Sequence, residues 1–178
     1  MTDLTDLEAL ILGVVERSGP VTSYAVAHEF GSSVTSRWSG SMGAIYPAMG
    51  RLERRGLVRA TKGRQGRRLH KTYTVTAAGR AGLKAWLSPP LPAGAGGASE
   101  DPIRSRVLFL SILSPAQRVA FLEHALERVR SELKRVEGVI AELAAADDEQ
   151  AVLGIQGARY ELKARIAWLR MVRKRTAP

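Results

Sequence analysis

Eight apolar residues, Val119, Leu122, Leu126, Val129, Leu133, Val136, Ile140 and Leu143, follow one another at alternating intervals of three and four. Only an α-helix brings such positions to one side, and this alternation belongs to a helix that packs along its whole length against another. Ser114-Pro115 gives it a start, a cap followed by proline at the first helical position. The run predicts a helix over 115–146, about 48 Å long at 1.5 Å per residue, and a small domain cannot wrap such a rod. After Asp147 and Asp148, the residues Ile155, Leu162, Ile166, Leu169 and Val172 outline a last helix. Its C-terminal end carries Arg170, Arg173, Lys174 and Arg175, where cations complement the helix dipole. The simplest cover for these stripes is a second copy of the chain. The eight residues together with Leu162, Ile166 and Leu169 are therefore expected to form the seam of a two-fold dimer.

The segment 88–102 (SPPLPAGAGGASEDP) is rich in proline and glycine and poor in apolar mass, which precludes regular structure. It divides the chain into a domain over 1–87, a linker over 88–102 and a helical dimerisation domain over 103–178, the last opening with an apolar helix at 103–113. In the first domain, Thr5 and Glu8 have capping-box spacing, and Leu7, Leu10, Ile11, Val14 and Val15 recur at helical intervals up to Ser18-Gly19-Pro20. Thr22 or Ser23 caps a short second helix with Tyr24, Val26, Ala27 and Phe30, closed by Gly31, and 32–40 reads as a loop. Ser41 caps a third helix in which Ile45, Met49 and Leu52 share a face, with Gly56 as its C-cap. Pro47 resists this reading, because proline in a helix interior costs about 3 kcal/mol; the helix must start later than Ser41 or bend. Segments 57–62 and 69–75 suit strands around a turn containing Gly63 and Gly66, and Thr76 caps a fourth helix with Ala77, Leu83, Trp86 and Leu87. The fold class is thus mainly α with a small β-hairpin: helix, helix, helix, strand, strand, helix, the order of a winged helix-turn-helix, followed by helices only.

Lys and Arg number 27 against 17 Asp and Glu, a formal charge of +10. Residues 51–84 alone hold eleven bases and one acid, Glu53, so the whole excess lies in that window and the remainder sums to zero. A local positive field at the third helix and hairpin favours a polyanion. The absence of cysteine excludes disulfides, thiolate metal sites and a cysteine nucleophile. His28, His70 and His124 are isolated from one another, and no acid-base pair or nucleophile constellation is visible, so neither an enzyme nor a metal site is expected. Gly94, Gly96 and Gly97 mimic a phosphate loop without the preceding strand that one requires. No apolar run reaches 18 residues and the start is acidic, so no membrane segment or signal peptide is expected and the location is read as cytoplasmic.

The stretches 41-SMGAIYPAMGRLERRGLV-58 and 67-RRLHKTYTVTAAGRAGL-83 resemble the PadR family of bacterial transcriptional regulators. Tyr46-Pro47, Leu52-Glu53, Gly56-Leu57-Val58, Lys71, Tyr73, Thr76 and Gly79 carry the resemblance, with Gly19-Pro20 and Tyr24. Ser23, Met49, His70 and Thr72 depart from the family pattern. The two long helices match the longer subfamily, and the resemblance makes Pro47 a family feature. It implies a repressor that binds double-stranded DNA as a homodimer on an inverted repeat and is released by a small-molecule effector.

Base edges in a major groove about 12 Å wide are read by the N-terminal end of an inserted helix, here Ser41, Met42, Ala44 and Tyr46. Arg64, Gln65, Arg67 and Arg68 at the hairpin tip, with Lys71 and Tyr73 behind them, are placed to meet phosphates or the minor groove. Tyr24 and Arg51 are further phosphate candidates. Trp86, more than Trp38, Tyr160 or Trp168, is the candidate to line an effector cavity. Two rivals remain: an architectural protein binding any DNA by counterion release, and an adaptor docking a protein partner on the long helices.

Overall fold

The structure is a computed structural model describing residues 4–33, 42–65, 68–98 and 100–176, and it divides into two compact units, Met1–Gly96 and Gly97–Pro178.

In the first unit, α1 (Asp6–Ser18) begins at a complete capping box: Thr5 Oγ1 accepts from Glu8 N, and the Glu8 carboxylate accepts from Thr5 N, both at 3.3 Å. It stops at Gly19, whose φ of 70° carries the chain out of the helix. Thr22 caps α2 (Ser23–Gly31). The third helix, α3 (Met42–Arg54), continues through Pro47. The bond that proline forgoes would have gone to the Gly43 carbonyl in the first turn, and both residues lie on the exposed side, where water can serve that carbonyl. The sequence expected a late start or a bend; the helix starts at Met42, and Ser41 and the loop to Gly40 lie outside the described residues. Gly56, at φ 67°, closes α3.

The hairpin of β1 (Val58–Gln65) and β2 (Arg68–Val75) is antiparallel, in register from Val58 opposite Val75 to Gln65 opposite Arg68. It is longer than the 57–62 and 69–75 expected. Its root is tied to the helix-turn-helix by Val21, whose N–H and carbonyl pair with the Tyr73 backbone at 3.2 and 2.8 Å. Thr76 caps α4 (Ala77–Leu87). The core joins Ile11, Leu12 and Val15 of α1, Val26 and Phe30 of α2, Ile45, Met49 and Leu52 of α3, and Val58, Tyr73 and Val75 of the hairpin. Each such side chain contributes about 1.5–3 kcal/mol by leaving water. This unit is a winged helix-turn-helix.

In the second unit the single helix expected over 103–113 does not form. Asp101 caps a short α5 (Pro102–Val107), and Leu110–Ile112 is a 3₁₀ turn. Arg118 donates to the carbonyls of Leu113 and Ser111 at 2.9 and 3.3 Å, serving acceptors that this irregular turn leaves open. A buried Asp101 also pairs with Arg165 at 2.9 Å. Beyond Ser114, which shares a capping box with Gln117, come α6 (Pro115–Ala145) and α7 (Glu149–Thr176). A turn at Asp147 (φ 55°) and capping by Asp148 fold α7 back along α6.

The long seam has a different occupant from the one the sequence suggested. Leu122, Leu126, Val129 and Val136 of α6 are buried within a single chain, as are Leu162, Ile166, Leu169 and Val172 of α7, the two helices being packed against each other. Val119, Leu133, Ile140 and Leu143 are half-buried. Leu122, at 0% exposure, has no surface left for a second copy, so the 3,4 alternation belongs to an intrachain hairpin of helices. The large apolar side chains that stay in water are others: Leu108, Phe109 and Ile112 beside the 3₁₀ turn, and Leu153, Tyr160 and Met171 on α7.

Candidate nucleic-acid interface

The amphipathic pattern of α3 decides what it presents. Ile45, Ala48, Met49 and Leu52 are buried, which leaves Gly43, Ala44, Tyr46 and Pro47 exposed at the N-terminal half. Met42 is the first helical residue, its side chain and Ser41 lying outside the described residues. Tyr24, on α2, is also exposed, its ring tilted beside that of His28 at 6.4 Å.

Ion pairing redistributes the basic window. Arg51 Nε and Arg55 Nη1 both reach the Glu8 carboxylate, at 3.0 and 2.9 Å. Lys71 meets Glu53 at 3.3 Å and Arg80 meets Glu16 at 2.7 Å. Burial alone would raise the pKa of Glu8, but the bonds from Arg51, from the Thr5 N–H and from Arg55 outweigh it and hold the carboxyl below its ordinary value. Among the described residues, Arg54, Arg59, Lys62, Arg64 and Lys84 have no carboxylate partner, and all five are exposed.

Three of those five stand on β1. Along one face of the hairpin the register runs Val58 opposite Val75, Ala60 opposite Tyr73, Lys62 opposite Lys71 and Arg64 opposite Leu69. The face that packs at the root thus turns cationic further out, on a projection of about 17 Å past Ala60 at 3.3–3.4 Å per residue. Like charges directly opposite one another destabilise a hairpin, so Lys62 facing Lys71 works against folding. Gln65 and Arg68 close the ladder with side chains outside the described residues, as is all of Arg67.

Residues 11–85, the span holding α3 and this wing, match the family model of the transcriptional regulator PadR-like family. This span is a PadR-like family domain. No curated protein matches it in sequence. Among solved structures, Bacillus subtilis PadR in complex with operator DNA is similar with a TM-score of 0.83 at 24% identity, over 97% of this chain and 99% of that one. The same protein in complex with p-coumaric acid gives 0.76 at 24%, over 96% and 98%. The PadR-like transcriptional regulator BC1756 from Bacillus cereus gives 0.77 at 16%, over 98% of each chain. At such identities the likeness is one of fold.

The PadR-like motif has a local physical cause here. Thr76 donates its hydroxyl to the Gly56 carbonyl at 2.7 Å and its N–H to that of Leu57 at 3.1 Å, while its Oγ1 accepts from Gly79 N at 3.1 Å. The last turn of α3, the exit of the wing and the start of α4 meet at this one residue.

Three candidates of the PadR-like domain have partners within the domain. Tyr73 is 7% exposed, its ring in the core and its hydroxyl 3.5 Å from Glu53, so it holds the wing root and cannot face a phosphate. Arg51 is engaged with Glu8. Trp86 donates Nε1 to Asp6 at 3.2 Å, joining α4 to the first turn of α1. A cavity of about 150 Å³ in this unit is lined by Leu10, Val14, Glu29, Phe30 and Ser33, and Trp86 does not border it. Among the described residues no His, Cys, Asp or Glu cluster could hold a metal, and no helix is long and apolar enough to cross a membrane. Sequence reasoning missed Glu8 as more than a cap. Its signal was there: position 8 falls on the same helical face as Ile11, Leu12 and Val15, where an acid needs buried partners.

Proposed function

We propose that the chain is a cytoplasmic bacterial transcription regulator that binds double-stranded DNA as a homodimer, with the outward N-terminal half of α3 in the major groove and the wing along the adjacent backbone. The observation that carries this reading is the wing itself, where Arg59, Lys62 and Arg64 stand exposed with no carboxylate partner among the described residues, although Lys62 already opposes Lys71. The exposed end of α3 supplies few hydrogen-bonding groups, Tyr46 and the neighbouring Ser41 among them, so shape and phosphate geometry share in selecting sites. Arg67, Arg68 and Gln65 extend the same contact at the tip, and Tyr24 adds a hydroxyl. The regulator represses by occupying an inverted repeat, has no catalytic activity, and is released by a small molecule, as the p-coumaric acid and operator complexes of the B. subtilis protein suggest. Selection of bound duplexes from random DNA tests it: an inverted repeat with half-sites about 34 Å apart is expected. Equal binding of all sequences would leave an architectural protein instead.

The dimer face consists of what the helical hairpin leaves uncovered. Phe109 and Ile112, 63% and 82% exposed, are apolar groups that burial against a second copy would remove from water. Replacing both with aspartate is expected to convert the dimer to a monomer in sedimentation equilibrium, with the helical content retained in circular dichroism, because both side chains are largely exposed within one chain. Persistence of the dimer would move the interface to another surface.

A further inference from the structure

The buried Glu8 holds two arginines, Arg51 in the last turn of α3 and Arg55 one residue beyond it. Glu8 is 2% exposed, and its carboxylate gathers three donors: Thr5 N at 3.3 Å, Arg51 Nε at 3.0 Å and Arg55 Nη1 at 2.9 Å. Arg51 and Arg55 are four residues apart, with Arg55 N bonded back to the Arg51 carbonyl at 2.9 Å, so both project on one side at the C-terminal end of α3. The capping box fixes the carboxylate to the first turn of α1, so the two helices are joined at a point that neither can leave without stranding a buried charge.

We propose that Glu8 is a positioning residue that sets the angle at which α3 is presented to DNA, with Arg51 and Arg55 as its arms and not as phosphate contacts; this rests on α3 being the groove helix. The geometry is that of a lever. From Arg54 to Ala44 the helix extends about 15 Å at 1.5 Å per residue, so a tilt of about 5° about the clamped end displaces the exposed residues by more than 1 Å. Hydrogen bonds to base edges span about 2.7–3.2 Å and do not survive such a shift. Phosphate contacts from long, flexible side chains do. A loosened α3 therefore loses discrimination before it loses attraction, and an unclamped Glu8 site does not weaken the positive field of the unit.

The experiment compares Glu8→Gln and Arg51→Gln full-length proteins with wild type on two duplexes of equal length, one carrying the selected site and one of random sequence. For E8Q, the ratio of specific to random affinity is expected to fall at least tenfold, with random-duplex affinity unchanged or higher. For R51Q, the same fall is expected with the salt slope on random DNA unchanged. An unaltered ratio in E8Q, whatever its melting temperature, overturns the proposal and leaves an ion pair that serves stability alone. A slope reduced by about one unit in R51Q makes Arg51 a phosphate contact and overturns it too. Should E8Q not fold, Arg51→Lys keeps the charge, loses the planar fork and is expected to lower the same ratio. A wild-type protein indifferent between the two duplexes would instead sink the reading of α3 itself, a failure visible before any variant is made.

Discussion

Replacing Arg59, Lys62 and Arg64 together with alanine is expected to lower affinity for every duplex by about a hundredfold at 0.2 M salt. Each phosphate neutralised contributes about 0.9 to the slope of log K against log salt, so three lost contacts flatten that slope by about 2.7 units and amount to roughly two decades at this salt concentration. The choice of these three follows from the pairing of the rest. Arg51, Arg55, Lys71 and Arg80 spend charge on Glu8, Glu53 and Glu16, whereas the β1 side chains have no carboxylate partner among the described residues. The fold should not suffer. Lys62 opposes Lys71 across the hairpin, so its removal relieves a repulsion and the melting temperature is expected to hold or rise. Arg80→Ala is the control, since Arg80 is neutralised by Glu16 and its loss should leave the slope where it was. Fluorescence anisotropy at four or five salt concentrations reads all of this, and an unchanged slope in the triple variant would remove the wing from the interface.

The elements that the sequence announced are those whose causes are local. Thr5 with Glu8 and Ser114 with Gln117 each close a capping box within four residues, and both helices start where these say. Gly56 ends α3 because the chain needs a positive φ there, which glycine signals by itself. What the sequence left open depends on partners far along the chain. The alternation from Val119 to Leu143 defines an apolar stripe but not its cover, and the same spacing serves a partner subunit or, as here, the next helix. Apolar content over 103–113 suggested a helix, yet only Leu110 finds a buried place, and Asp101 and Arg118 hold the segment in a different shape. The basic window could be counted, but not sorted into paired and free. Glu8 meets Arg51 and Arg55 across 43 and 47 residues, a distance that no periodicity spans. Tyr73 illustrates the converse: strand alternation alone placed it on one of two faces, and the root of the wing turned that face inward.

Gly79→Ala is expected to destabilise the first unit by about 3 kcal/mol, at the upper end of what overpacking costs, and to lower its melting temperature by roughly 12–24 °C for a domain of this size. A Cβ at this position would lie 2.1 Å from the Leu57 carbonyl oxygen and 2.7 Å from Val75 Cγ1. Neither neighbour can yield. The Leu57 carbonyl accepts from Thr76 N at 3.1 Å, and Val75 is a core residue of β2. The start of α4 would have to move outward and would break the bonds by which Thr76 ties α3 to the wing, so DNA affinity should fall further than the folded fraction accounts for. Gly82→Ala, on the same helix, isolates the cause. Its Cβ would meet the Leu4 side chain, Cδ1 at 3.3 Å and Cγ at 3.9 Å, whose flexible tip can yield, and the gain of about 1 kcal/mol in helix propensity offsets that contact. Two identical substitutions three residues apart should therefore differ by several kcal/mol in thermal denaturation. Equal effects would mean that the close approach at Gly79 is not what demands glycine in the Thr-x-x-Gly motif.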